Sequence, residues 1–189
     1  MKQFSNHEQL PTLTPLGYKL TRIPPPWLMI IKDLYDNLTQ LPPDKEELTT
    51  GMAGTQPEFY NLDKYPNIVN CLHNDLTPIM EEWCGESLIP TNGFGIRSYR
   101  HSTMLGMHVD RVSTHHISAI FMCAFKGKDW PLKFIDNNGK ENDIFMQSGD
   151  MLLYESCKCL HGRPKVFEGE FYRNFYLHWK LKDWEYLDT

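Results

Sequence analysis

His108-Val109-Asp110 is the sharpest chemical signal in this 189-residue sequence. On a β-strand, positions i and i+2 point to one face, so this imidazole and this carboxylate project together. They make two-thirds of a facial metal site. One more histidine completes the 2-His-1-carboxylate triad that holds Fe(II) and leaves coordination positions open for substrate and oxygen. His161, well downstream on another expected strand, is the natural third ligand. Taken alone, an HxD is common and is usually a surface pair that binds nothing, so the context has to decide.

Cys157 and Cys159 stand just before His161. Thiolates one residue apart do not reach the C-x-x-C geometry of tetrahedral zinc, and no second Cys or His pair stands at a matching distance. Redox pairs also usually keep two intervening residues. If 158–163 is a strand, Cys157, Cys159 and His161 share one parity and would line one interior face. Packing of a narrow strand crossing by two small, soft side chains is the favoured reading. His115 and His116 are expected to orient Asp110 or to form a plain turn, not to ligate. His178 either hydrogen-bonds near the site or packs, and His7, His73 and His101 have no supporting context.

These residues need strands to position them, and the chain changes character near residue 90. Before it, helix signals dominate. Pro24-Pro25-Pro26 suits a helix start, and Trp27, Ile30, Ile31, Leu34, Tyr35 and Leu38 recur at helical spacing. A second helix is expected over about 67–83, with Pro78 kinking or splitting it. The stretch 42–61 reads as a long surface loop that could close over a ligand.

After residue 90 come short β-like runs at 93–100, 104–111, 116–125, 131–136, 143–147, 150–155, 158–163 and 171–180. Turn residues such as Asn137-Asn138-Gly139 and Ser148-Gly149-Asp150 divide them. About eight such runs suggest a closed or double-sheet antiparallel design, a jelly roll. The expected organisation is one domain over 1–189, with 1–90 as helical support and loop and 91–180 as the β core, the helices bracing one sheet.

The composition is that of an ordinary globular protein, with 41% hydrophobic and 23% charged residues. A net charge of −5 gives no reason to bind nucleic acid. The N-terminus has no apolar secretion signal, and the apolar runs are too short to span a bilayer. Five cysteines without a framework read as reduced thiols in a cytoplasm.

The ordered set IRSYR, MLGMHVDR, THHISAIF, WPLKF, GDMLLYES, LHGRP and GEFYRNFYLHW covers roughly residues 90–180. It resembles the iron(II)/2-oxoglutarate-dependent dioxygenases, most closely the small prolyl 4-hydroxylase-like proteins of bacteria, algae and viruses. The resemblance implies a double-stranded β-helix (cupin-like jelly roll) and a prolyl 4-hydroxylase acting on a proline-containing peptide or protein. Hydroxylation would be coupled to decarboxylation of 2-oxoglutarate to succinate, with Fe(II), O2 and ascorbate as the other requirements. Hydroxylation of a free amino acid or other small molecule is the first alternative. A non-catalytic cupin-like binding module is another, and nucleic-acid demethylation is more distant.

Carried over by position, His108, Asp110 and His161 match the family's iron ligands, and Tyr99 matches a tyrosine that hydrogen-bonds 2-oxoglutarate. The family also pairs the distal carboxylate of 2-oxoglutarate with a basic residue on the strand after the second histidine. Here the usual spacing falls on Glu170, Phe171 and Tyr172, none of them basic. Arg173 is the nearest candidate. It shares a strand face with Phe171, Phe175, Leu177 and Trp179, a row expected to point inward, where a buried guanidinium needs an anion. Arg163, two residues past His161, is the second candidate, and Asn174 and Arg97 are minor ones. The family usually has a glycine three residues after the tyrosine, where this chain has Ser102.

Overall fold

A computed structural model describes residues 2–3, 7–46, 51–184 and 186–187. Part of the expected loop, residues 47–50, lies outside the described residues. The fold is mostly β, with two antiparallel sheets and few helices, consistent with a jelly roll. The strands are β1 (Lys2–Gln3), β2 (Tyr18–Arg22), β3 (Met52–Ala53), β4 (Glu58–Tyr60), β5 (Leu88–Tyr99), β6 (Met104–His108) and β7 (Ile117–Gly127). They continue with β8 (Leu132–Ile135), β9 (Glu141–Ile144), β10 (Asp150–Tyr154), β11 (His161–Arg163), β12 (Gly169–Leu181) and β13 (Tyr186–Leu187). The larger sheet runs β2-β10-β7-β12-β5-β4 and the smaller runs β3-β6-β11-β8-β9, while β1 and β13 form a short parallel pair.

The N-terminal half is therefore more than helical support, since β2, β3 and β4 add edge strands to the two sheets. Its helices are α1 (Pro25–Leu38) and α2 (Pro66–Cys84), each with proline in the first turn, where the missing N–H is no loss. Pro78 neither splits α2 nor ends it. The helix closes at Gly85, whose φ of 76° is the left-handed conformation that glycine adopts freely.

The helices cover one face of the six-stranded sheet. Ile31 and Leu38 of α1 and Leu72, Leu76 and Met80 of α2 share a core with Ala119, Phe121, Phe175, Leu177 and Trp179. Trp179 donates its indole N–H to the Thr77 hydroxyl at 2.8 Å, fixing the strand to α2. A second core lies between the sheets, built from Tyr99, Ile120, Trp130, Phe134, Tyr154, Phe167 and Tyr172. The strands thus carry one apolar layer toward the helices and a more aromatic, hydroxyl-bearing layer inward. Among the described residues no helix is long and apolar enough to cross a membrane.

Candidate metal centre

His108 closes β6 and His161 opens β11, and the two are directly opposite in antiparallel register, with ring centroids 4.6 Å apart. That closeness depends on glycine: a Cβ on Gly162 would meet the Gly106 carbonyl oxygen at 2.5 Å. Asp110 lies just beyond β6, and its backbone N–H donates to the Ser156 carbonyl at 2.9 Å, which anchors the turn. One donor atom from each of His108, Asp110 and His161 falls within 4.8 Å of the others. Asp110 Oδ1 is 3.6 Å from His108 Nε2 and 3.9 Å from His161 Nε2.

Both imidazoles are oriented for ligation. His108 Nδ1 faces the Gly106 carbonyl at 2.9 Å, and His161 Nδ1 faces the Cys159 carbonyl at 2.8 Å. A carbonyl only accepts, so each Nδ1 carries the hydrogen and each Nε2 presents a lone pair. Burial, helped by His108 and Arg163, pushes the His161 imidazole down to about 4, so it is neutral near pH 7. Burial alone would raise Asp110. The imidazoles of His161, His178, His115 and His108 outweigh it and hold this carboxyl below the ordinary value. The Tyr154 phenol donates to Asp110 Oδ2 at 3.3 Å, and burial and that carboxylate keep it protonated.

The donors line a cavity of about 290 Å³ between the sheets. Tyr99 is among its walls, and its hydroxyl lies 2.9 Å from that of Tyr176. Arg163 also lines it, only 2% exposed. Its guanidinium donates to the Trp130 carbonyl and to the Tyr172 hydroxyl, and it lies over both rings. Among the described residues no carboxylate pairs with it. Arg97, a third wall residue, is instead held by Glu46, which accepts from its Nε at 2.8 Å.

Arg173 and Asn174 are not among the lining residues, and for Arg173 the reason is strand parity. Bulges apart, the odd-numbered residues of β12 face the helices: Phe175, Leu177 and Trp179 belong to the helix-side core. Arg173 shares that side. It lies over the Phe171 ring at 4.1 Å and donates to Ser98 Oγ at 3.2 Å, with Tyr35 of α1 beyond. The expectation that this apolar row points into the site therefore inverts the two faces. Asn174 is buried against the Phe121 carbonyl and Met122 Sδ, with its own carbonyl oxygen unpartnered.

The cysteines do not line the cavity either. Strand β11 starts only at His161, so the parity expected over 158–163 does not hold. Cys157 packs with Leu10 and Val112, while Cys159 donates to Asn137. Burial raises both thiols, Cys159 to about 12, which removes the thiolate that metal or redox chemistry needs. His116 stacks on Trp184 away from the site, with both ring nitrogens unpartnered.

Sequence reasoning undervalued His115, His178 and Tyr176. The first two rings lie 3.7 Å apart on the cavity wall, and His178 Nδ1 is 2.7 Å from Ser118 Oγ. The usable signal was the even-numbered series Tyr172, Tyr176, His178, alternating with the apolar row.

No family model matches the chain, and no curated protein does. Solved structures do. A 2OG-Fe(II) oxygenase family oxidoreductase from Burkholderia pseudomallei aligns at a TM-score of 0.64 and 15% identity, covering 87% of this chain and 84% of that one. A prolyl-4-hydroxylase from Pseudomonas putida gives 0.56 and 14%, with 89% and 94% covered. HygX from Streptomyces hygroscopicus, with nickel and 2-oxoglutarate bound, gives 0.62 and 11%, with 89% and 84% covered. The shared property is the fold. At these identities the chemistry has to be argued from this chain's own residues.

Proposed function

We propose that this protein is an Fe(II)- and 2-oxoglutarate-dependent hydroxylase, built as a single double-stranded β-helix domain over 1–189. The observation that carries the reading is the donor set: two imidazoles with Nε2 free and one ionised carboxylate, converging on the wall of one cavity. Two nitrogens and one oxygen suit Fe(II) and leave open positions on the metal. His108, Asp110 and His161 would hold the ion. When bound, iron and 2-oxoglutarate supply the oxidising power, using O2 and releasing succinate and CO2.

The protein's own share is placement. The Gly106 and Cys159 carbonyls fix the tautomers of the two histidines, and Tyr154 steadies the carboxylate of Asp110. Arg163 is a buried cation without an anion, which is costly unless a ligand supplies one. Its planar fork suits the distal carboxylate of 2-oxoglutarate, with Tyr99 and Tyr176 offering hydroxyls on the same wall. Arg173 and Asn174 have no such access. Leu105, Ile120 and Leu132 would give the reacting group an apolar flank in an otherwise polar cavity.

For the substrate, a prolyl residue in a peptide or protein is the favoured reading, supported by the sequence resemblance and by the Pseudomonas putida enzyme among the fold relatives. A free amino acid or other small molecule is the alternative. Ascorbate is the expected reductant, and a cytoplasmic location accords with five free cysteines. The test is direct. Protein with Fe(II), 2-oxoglutarate and ascorbate should form succinate, and proline-containing peptides should gain one oxygen by mass spectrometry. Normal iron binding with no succinate under any condition would favour the binding-module reading.

A further inference from the structure

A second groove, of about 650 Å³, opens beside the metal cavity and shares Asn92, Phe94 and Arg111 with it. One wall is residues 91–94 of β5, and the facing wall includes Leu62, Asp63 and Asn70. In this stretch β5 is paired on one side only. Strand β12 takes one flank, with Leu177 opposite Gly93 and a register shift on either side of that pair, whereas β4 reaches the other flank only at Ile96, Arg97 and Ser98. Among the described residues no strand pairs with the outer flank of 91–94. Proteins usually cover or charge such an edge because its N–H and C=O groups can recruit another chain. Here the strand-free edge, with Val69 of α2 packed at Gly93, borders a groove that shares residues with the candidate metal cavity.

The groove's chemistry fits a main chain. Phe59, Leu62 and Phe94 give it apolar surface, and Asn70 and Asn92 present carboxamides that can both donate and accept. Glu46 adds a more pointed observation. It is 94% buried by side chain (6% exposed), its Oε1 is committed to Arg97, and its Oε2 has no partner. The pair with Arg97 is already charge-balanced, so a neutral N–H satisfies that oxygen better than a second cation would.

We propose that this groove binds an extended polypeptide by strand addition to residues 91–94 of β5, carrying the reactive side chain past Asn92 and Phe94 into the metal cavity. This rests on the hydroxylase reading above and makes its substrate a peptide main chain. A free amino acid would fill the inner cavity and leave the groove unused.

The probe is a pool of short peptides with one fixed proline and randomised flanks, added to the whole protein with Mn(II) and 2-oxoglutarate. Backbone hydrogen exchange reads the groove, and Mn(II) electron paramagnetic resonance reads the metal site independently. Slower exchange of the outward amides among 91–94 is expected on adding the pool. Peptides enriched from it should lose affinity about tenfold when alternate amides on one edge are N-methylated, and little when the other set is methylated. Binding with no protection at 91–94, or equal loss from both methylated sets, overturns strand addition. Normal Mn(II) and 2-oxoglutarate binding with no peptide bound overturns the groove proposal and leaves a small-molecule hydroxylase. Failure to bind Mn(II) defeats the hydroxylase reading itself, while exchange at 91–94 still reports on the groove.

Discussion

Along β12, Phe175, Leu177 and Trp179 face the helices, whereas Tyr172, Tyr176 and His178 face the space between the sheets. The first row is a uniform apolar layer whose one polar atom, the Trp179 indole nitrogen, is satisfied by Thr77. The second row carries hydroxyls and an imidazole, each spoken for by a neighbour: Tyr172 by Arg163, Tyr176 by Tyr99 and His178 by Ser118. Side chains one residue apart thus serve stability on one side and ligand placement on the other. In a sheet covered on both faces, hydrophobicity marks the brace and polarity marks the site.

Removing a donor from the cavity face gives the largest expected effect. Asp110→Ala should lower succinate formation by at least about a thousandfold, because two imidazoles alone hold Fe(II) poorly. Thermal unfolding should shift little, since this carboxylate is partly exposed at the cavity mouth and bears no helix-side packing. A large fall in Tm would mean that the cavity face is structural, and the contrast between the two faces would collapse.

The two arginines test the same contrast more finely. Arg163→Ala should raise the 2-oxoglutarate requirement about a hundredfold, the loss expected for a buried charge-assisted pair. Arg173→Ala should leave that requirement unchanged and cost about 1 kcal/mol of stability through lost stacking on Phe171 and Tyr35. Titrating 2-oxoglutarate against succinate yield separates the variants. Equal effects from both would place Arg173 on the cavity side after all.

That arginine also marks where the sequence stopped being legible. Helix positions, most strand positions and the grouping of His108, Asp110 and His161 could be read from period and spacing. Which face of β12 looks inward could not, because alternation gives two faces without labelling them. The label comes from α1 and α2 packing on the odd-numbered row, a tertiary fact. Spacing failed at β11 for another reason: the turn holding Cys157 and Cys159 persists to His161, so only three residues form the strand. The strands contributed by β2, β3 and β4 were hidden because short edge strands carry little periodicity.

Acid should act on the helix side as well as on the metal. His73 of α2 packs edge-on to Trp179 with Nε2 unpartnered, and burial lowers its pKa from 6.5 to about 4. The folded state therefore binds fewer protons than the unfolded chain between these values, and stability falls as pH drops from 6.5 toward 4. The loss from this residue should reach roughly 3 kcal/mol. His116, lowered to about 3 by burial and then by Lys158, adds to it over a wider window. Denaturant melts across this range should show the slope, and His73→Phe should flatten it while preserving the contact with Trp179. An unchanged slope in that variant would assign the acid response to the cavity histidines.

The smallest expected effect is at Ser102, where the chain departs from the glycine of its resemblance. Its φ of 71° is the only positive value among the described non-glycine residues. A serine held there costs about 1–2 kcal/mol, whereas glycine adopts the conformation without strain. Against this stands the extra freedom that glycine gives the unfolded chain, about 0.5–1 kcal/mol. Ser102→Gly should therefore stabilise the protein by about 0.5 kcal/mol, visible as a small rise in denaturant midpoint at unchanged slope. The Ser102 N–H donates to the Phe167 carbonyl at 2.9 Å, and a glycine keeps that bond. Destabilisation instead would mean that the serine side chain contributes more than its backbone strain costs, and that the departure from glycine at this turn has its own structural reason.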